Sequence, residues 1–450
     1  MLNLVVLYNK LMSKSRVQRI VRNYIKKFNK SVFYQNIAIV ASGLISAKAI
    51  ALLSAPVITR IYSPEHYGIF STLISIAGVA GSIATLRYSV TIALAKEERL
   101  AENLLKLSFF ITFILSLLWL ICILLFGEPL SNRFSGVNVK PFLWVIPLLF
   151  FGQGIYEALS GWAVRYKKFR IITFTRITQG VSTALTKILL GLLGIKPFGL
   201  ILGNLAQEYT GIGSLIRNLV KTNPGFFKVF SFSEIKEAAL RYKQFPLVQS
   251  WSQLLLSLGA QLPVLLMGNL YGAQIVGIFG LAQNMINIPI NLLGQSVSQV
   301  YYAEISKYGK ENPDRIYKLT ISIIKKMFWL SFIPLTIIVL FGPWLFKVVF
   351  GAEWYEAGNF ARIISILIMF RFVSNPIMSC LNVLEKQAIQ FWLNLLRVIL
   401  IFFIFYLAKC VELEPRISLL VYSILISIFY FFVVLIVLKL LKNMIKLLSN

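Results

Sequence analysis

The stretch Leu104–Phe126, LLKLSFFITFILSLLWLICILLF, holds one charged residue, Lys106, in 23 positions. At about 1.5 Å per residue, a helix of that length crosses the roughly 30 Å hydrocarbon core of a bilayer. The rest of the chain repeats the pattern. Of its 450 residues 58% are hydrophobic and 14% charged, against about 25% charged in soluble domains. A soluble protein of this length cannot bury so much apolar surface. Soluble enzyme, disordered chain and fibrous protein are thereby excluded, which leaves an all-α polytopic membrane protein.

Apolar runs predict about twelve transmembrane helices, over 36–58, 67–92, 104–126, 141–162, 171–195, 197–216, 246–266, 273–300, 319–341, 361–383, 389–408 and 417–438. Turn residues stand between them, among them Ser63-Pro64, Gly127-Glu128-Pro129, Lys196-Pro197, Gly342-Pro343 and Glu414-Pro415. The apolar start, Leu2–Leu7, is short and its basic residues follow it, so no secretory signal is expected. Residues 1–35 read as a cytoplasmic arm, whose eight Lys and Arg from Lys10 to Lys30 suit an anionic membrane surface.

The net charge of +28 would suggest nucleic acid in a soluble protein, but here the charge lies mostly between apolar spans. With the arm placed in the cytoplasm and sides alternating, 29 Lys and Arg fall on the cytoplasmic side and 8 on the other. That asymmetry follows the positive-inside rule and predicts cytoplasmic termini and an even number of spans. The basic segment 217–245 then acts as a cytoplasmic linker between an N-lobe, 36–216, and a C-lobe, 246–438, with 439–450 as a cytoplasmic tail.

The two lobes show internal similarity. Tyr62 precedes Gly68-Ile69-Phe70 by six positions, and Tyr271 precedes Gly277-Ile278-Phe279 by six. Phe126-Gly127 with Leu130 matches Phe341-Gly342 with Leu345, and Arg176 matches Arg397. The offsets, 209, 215 and 221, keep order and spacing. A parallel repeat of six helices implies two bundles facing a central cavity, with alternating access.

Signatures of catalysis are missing. The one histidine, His66, has no metal-binding or catalytic partners in the sequence and reads as an interfacial residue. Cys122, Cys380 and Cys410 lack metal-ligand spacing and read as small core residues. There is no P-loop, and the extramembrane loops are too short for a catalytic domain. Neither cofactor nor metal is expected.

Polar residues inside the spans carry the functional information. Lys48, Arg87, Arg176, Lys187, Arg371 and Arg397 lie in spans, with Glu157 as the acid expected among them. Charge in hydrocarbon is costly and usually faces a bundle interior or water. Six cations against one acid cannot all pair internally, so they suit a bound anion. Arg87, Arg176 and Arg397 have the alternative of snorkelling to the interface. Helical spacing sets further polar groups in stripes: Arg176, Gln179, Thr183 and Lys187; Arg371, Asn375, Ser379 and Asn382; Asn284, Asn287, Asn291, Gln295 and Ser298; Gln249, Gln253 and Ser257; Gln153, Glu157 and Ser160. Such stripes either glue helices together or line a wet cavity. Amides suit sugar hydroxyls and cations suit phosphate. Pro56, Pro147, Pro263, Pro289, Pro334 and Pro376 would kink their helices, as a rocking transporter needs.

Several motifs resemble a known family. Thr59-Arg60-Ile61-Tyr62-Ser63-Pro64-Glu65-His66-Tyr67-Gly68 resembles the first junction of Wzx-like O-antigen and polysaccharide flippases, polysaccharide transporters of the multidrug/oligosaccharidyl-lipid/polysaccharide (MOP) exporter superfamily. Thr85-Leu86-Arg87-Tyr88 resembles the end of their second helix, and Gln295–Tyr302 the end of their eighth. Phe350-Gly351-Ala352-Glu353-Trp354, with Ala357-Gly358, resembles their ninth–tenth loop. The resemblance covers most of residues 33–440 and implies two six-helix lobes forming a V, as in MATE transporters. It implies a flippase that moves an undecaprenyl-diphosphate-linked oligosaccharide, an O-antigen or capsular repeat unit, across the bacterial inner membrane for lipopolysaccharide or other polysaccharide biosynthesis. A polysaccharide polymerase and a chain-length regulator would be its partners, and no nucleic acid. Ser89 departs from the family pattern, where many relatives have an acid.

On that reading Lys48, Arg87, Arg176, Lys187, Arg371 and Arg397 attract the diphosphate. Gln153, Gln179, Gln249, Gln253, Asn284, Asn287, Asn291, Gln295 and Asn375 contact the glycan, and Glu157 couples transport to an ion. The rivals are a MATE-type drug or cation antiporter, a lipid II flippase of the same fold, and a polyprenyl-glycan polymerase. A cavity rich in cations argues against the antiporter. The polymerase would need a sizeable outer loop or an acidic catalytic group.

Overall fold

The computed structural model describes residues 32–449 except 134, 135, 138, 227–230, 310 and 311. The expected basic arm therefore lies almost wholly outside the described residues. Fourteen α-helices and no strands occur among the described residues. They are α1 (Val32–Ile61), α2 (Pro64–Gly81), α3 (Tyr88–Leu94), α4 (Glu98–Arg133), α5 (Val145–Arg165), α6 (Phe169–Leu192) and α7 (Phe198–Tyr209). After them come α8 (Ile212–Thr222), α9 (Phe232–Arg241), α10 (Ser250–Tyr308), α11 (Pro313–Phe350), α12 (Tyr355–Val383), α13 (Gln387–Cys410) and α14 (Pro415–Ser449).

Eight predicted spans correspond to α1, α4, α5, α6, α11, α12, α13 and α14. The other four differ in how the chain is cut. The second is broken into α2 and α3, because Leu86 and Arg87 take left-handed backbone (φ 45° and 64°). The sixth is broken into α7 and α8 at Gly211 (φ 95°), a conformation that suits glycine. The seventh and eighth run together as α10, interrupted only at Gly272 (φ 83°, ψ −178°). Among the described residues seven helices are long and apolar enough to cross a membrane by length and composition. Two of the remaining spans, α5 and α6, carry two of the five polar stripes.

Local chemistry places the junctions. Ser63 caps α2: its Oγ accepts from His66 N, and the His66 ring reaches back to Ser63 N at 3.3 Å. His66 is thus a capping residue. The segment after α8 is no open tether. Leu215, Leu219, Phe226, Ile235 and Ala238 join Ile92, Leu104, Leu105 and Trp162 in one buried cluster on α3, α4 and α5.

The two halves meet mainly through α2 and α10. A Cβ on Gly68 would stand 1.8 Å from the Ala273 carbonyl oxygen, and one on Gly277 would stand 1.8 Å from that of Pro64. One offset of 209 relates Gly68 to Gly277 and Pro64 to Ala273. The contact is therefore reciprocal, as across a two-fold axis, and only small residues let the backbones approach so closely. At the same end Trp354 Nε1 donates to Thr59 O at 2.9 Å, and Arg60 donates to the carbonyls of Val348 and Val349 at 3.3 and 3.0 Å. The Tyr67 and Trp354 rings meet edge to face at 5.6 Å.

Large apolar side chains on the outside complete the fold. Leu124, Leu125 and Phe126 on α4, Trp329, Ile333 and Trp344 on α11, and Trp392, Phe402 and Phe403 on α13 are all exposed. In water such surface would be a liability; in a bilayer it is the lipid-facing belt.

Candidate functional site

A cavity of about 550 Å³ lies between the halves. Its wall is built from α1, α2, α6, α7, α10 and α12. Close packing of α1 on α6 brings Lys48 beside the polar stripe of α6. A Cβ on Gly43 would stand 2.8 Å from Thr173 Cα, one on Gly180 would stand 3.1 Å from Ala47 Cα, and Thr173 Oγ1 donates to Ile39 O at 2.7 Å. Arg176, Gln179, Thr183 and Lys187 all face this cavity, as their spacing predicts.

Each cation is held differently. Lys187 Nζ stands 4.4 Å from the Phe70 ring centroid, with its stem against Gly203, where a Cβ would be 2.4 Å from Lys187 Cγ. Arg176 lies over the Tyr156 ring at 5.0 Å, and the Tyr156 hydroxyl lies 2.9 Å from Thr175 Oγ1. Arg371 Nη2 donates to Asn287 Oδ1 at 2.8 Å. Lys48 is exposed to the open cavity. Asn284 donates to the Tyr67 hydroxyl at 3.4 Å, and Ser75 Oγ to Gln261 Oε1 at 3.1 Å. Such a wall offers positive charge and amides together.

Two smaller cavities adjoin it. One of about 310 Å³ lies in the first half and shares Arg176, Gln179, Asn204 and Gln207 with the main cavity. Gln153, Glu157 and Ser160 of α5 and Glu208 of α7 line it. Ser89 Oγ donates to Glu157 Oε1 at 2.8 Å and accepts from Thr85 at 2.9 Å, while Arg87 Nη1 lies 3.7 Å from the same carboxylate oxygen. The other, of about 170 Å³, lies in the second half and shares Arg371 and Ala260 with the main cavity. Arg397 and Asn375 line it.

Lys48, Arg176, Lys187 and Arg371 are thus brought to one cavity with Gln179, Asn284 and Asn287. Arg87 instead is paired with Glu157, and Arg397 sits in the small second-half cavity. Gln249 is exposed on the π-helical turn before α10, and Gln295 is exposed near its end. Gln253 lines none of these three cavities. The Asn291 side chain lies outside the described residues.

The sequence reading missed Gln261, Asn204, Gln207 and Glu208. Glu208 corrects the expectation of Glu157 as the one intramembrane acid, since it lay within the predicted span 197–216. The signal was available in Asn204, Gln207 and Glu208, which share a helix face by their spacing of three and four. It was obscured because the break at Gly211 made that span look like one apolar helix.

Comparison with known proteins agrees with this architecture. The model of the family described as polysaccharide biosynthesis protein matches residues 57–359. The teichuronic acid biosynthesis protein TuaB of Bacillus subtilis is 28% identical over 156 residues, 35% of this chain; the chain spans 31% of that relative's length. The lipid II flippase MurJ in an inward closed conformation superposes with a TM-score of 0.68 at 15% identity, over 90% of each chain. A multidrug resistance MATE family transporter of the MOP superfamily in its inward-facing conformation superposes with a TM-score of 0.66 at 14% identity, over 90% of this chain and 94% of that one. At such identities the likeness is one of fold. With a family match over two thirds of its length and a polytopic all-α fold shared with these transporters, the chain belongs to the polysaccharide biosynthesis protein family of membrane proteins.

Proposed function

We propose that the protein is a flippase for an undecaprenyl-diphosphate-linked oligosaccharide, such as an O-antigen or capsular repeat unit, in the bacterial inner membrane. Both termini face the cytoplasm on this reading, as the charge asymmetry of the loops supports. One observation carries the proposal: the cavity between the halves is lined by Lys48, Arg176, Lys187 and Arg371 from both halves, interleaved with amides. A diphosphate needs cationic donors and a glycan needs amides. The polyprenyl tail stays in the lipid, along the exposed apolar belt. Rocking of the two halves opens the cavity first to one leaflet and then to the other. Glu157, hydrogen-bonded by Ser89 and beside Arg87, is the proposed coupling group.

The cation-antiporter reading of the same fold is disfavoured by the wall charge, since four cations face the main cavity. A lipid II substrate shares the diphosphate, and the glycan separates it from the repeat-unit reading. The test is leaflet transfer of defined polyprenyl-diphosphate sugars in proteoliposomes. Wild-type protein is expected to transfer them. Lys48→Ala and Arg371→Ala each remove a charge-assisted contact worth about 1.5–3 kcal/mol, so binding should weaken by roughly 10–150-fold while the protein still inserts. Undiminished transfer by both variants would remove the cavity from the mechanism.

A further inference from the structure

The small cavity of the second half is more than an extension of the main one. Arg397 of α13 is 8% exposed there. Burying a guanidinium costs several kcal/mol unless it is compensated. Its partners are neutral: Nη1 donates to the Tyr430 hydroxyl and Nη2 to the Leu256 carbonyl, each at 3.1 Å. Nε has no partner. Among the described residues no carboxylate forms an ion pair with it.

The packing around it is built to admit this group. A Cβ on Gly259 would stand 2.3 Å from Arg397 Nη2, so glycine makes the room. Arg371 forms the wall towards the main cavity, with Asn375 one turn on. Each guanidinium carries five N–H donors in a plane, of which protein partners take two on Arg397 and one on Arg371. The pocket is small, about 170 Å³ against about 550 Å³ for the main cavity. Its size suits a single charged group better than a whole glycan.

We propose that this pocket is a second anion site, in which Arg397 and Arg371 bind an oxyanion supplied by an acidic sugar of the glycan. The diphosphate remains with Lys48, Arg176 and Lys187 in the main cavity. The inference rests on the flippase reading for its source of ligand, and it narrows the substrate to acidic oligosaccharides. An anion reaches the pocket past Arg371 and Ala260, which belong to both cavities. A planar carboxylate suits a guanidinium fork.

The test is calorimetric titration of the full chain in detergent at fixed ionic strength. The probes are methyl glucuronoside, methyl glucoside, inorganic phosphate and pyrophosphate. The glucuronoside is expected to bind and the neutral glucoside not to. Arg397→Gln should weaken the glucuronoside at least tenfold and leave pyrophosphate within twofold; Lys48→Gln should do the reverse. Asn375→Asp puts a carboxylate on the wall and should exclude the glucuronoside with Arg397 intact, which keeps the test available if Arg397→Gln does not fold. Equal weakening of both ligands by Arg397→Gln, or no glucuronoside binding to wild type, overturns the proposal. Arg397-dependent binding of inorganic phosphate without the glucuronoside also overturns it, in favour of a free-anion site. Glucuronoside binding without pyrophosphate binding would instead defeat the diphosphate reading and leave this pocket standing.

Discussion

Arg87 and Arg371 are both guanidiniums within predicted spans, yet their neighbours give them different roles. Arg371 faces the main cavity with an amide as its partner, which leaves its charge available to a ligand. Arg87 lies 3.7 Å from the Glu157 carboxylate, on left-handed backbone that turns the chain between α2 and α3. Removing one member of such a pair strands the other. Glu157→Gln is expected to lower stability by on the order of 1–3 kcal/mol, a range reduced because both side chains are partly open to water. Adding Arg87→Gln should restore part of that loss. Thermal unfolding of the four proteins of the cycle in detergent measures the coupling. Strict additivity would mean that the pair contributes nothing.

Among the elements, α9 shows how a charged segment can be structural. It lies against α4, where Glu234 accepts from Arg99 and, at 3.0 Å, from Asn103 Nδ2. Tyr88 of α3 donates to Ala239 O at 3.1 Å, and Ile235 and Ala238 are buried beneath. The hydrogen bonds from Arg99 and Asn103 hold the Glu234 carboxyl down at about 2, from a usual value of 4.5. A depressed carboxyl pKa stabilises the docked state above the undocked pKa, and the effect is lost as the proton binds. Docking of α9 is therefore expected to persist from neutral pH down to about 4.5 and to weaken between there and about 2. Hydrogen exchange over residues 231–241 measures it, with Glu234→Gln removing the pH dependence. An unchanged pH profile in that variant would assign the docking to the apolar contacts alone.

For the whole molecule, the reciprocal contact of Gly68 with Ala273 and Gly277 with Pro64 joins the two halves backbone to backbone. Arg60 and Trp354 tie α1 to the α11–α12 junction at that same end. Transport by rocking requires these ties to part. A short reducible cross-linker between Arg60→Cys and Val349→Cys, in a background without Cys122, Cys380 and Cys410, is expected to stop leaflet transfer. Cleaving the linker should restore it. Transfer that continues at the wild-type rate with the linker intact would exclude opening at this end. The same two-fold relation explains why glycines recur at matched positions: each half supplies the small residue that the other half's backbone needs.

The all-α membrane class and the internal match of Gly68 with Gly277 were legible from the chain alone, because a bilayer demands long apolar helices and reports their ends through charge and turn residues. The α6 stripe was equally legible, since residues three and four apart on one helix must share a face. Partner choice was not. Arg87 with Glu157, Arg371 with Asn287, and Arg397 with Tyr430 join residues 33 to 84 positions apart. Helical periodicity says which way a side chain points along its own axis but nothing about which helix lies opposite. Only the packing of α1 on α6, and of α5, α10, α12, α13 and α14, decided which cations share the main cavity, which one is paired, and which one occupies a pocket of its own.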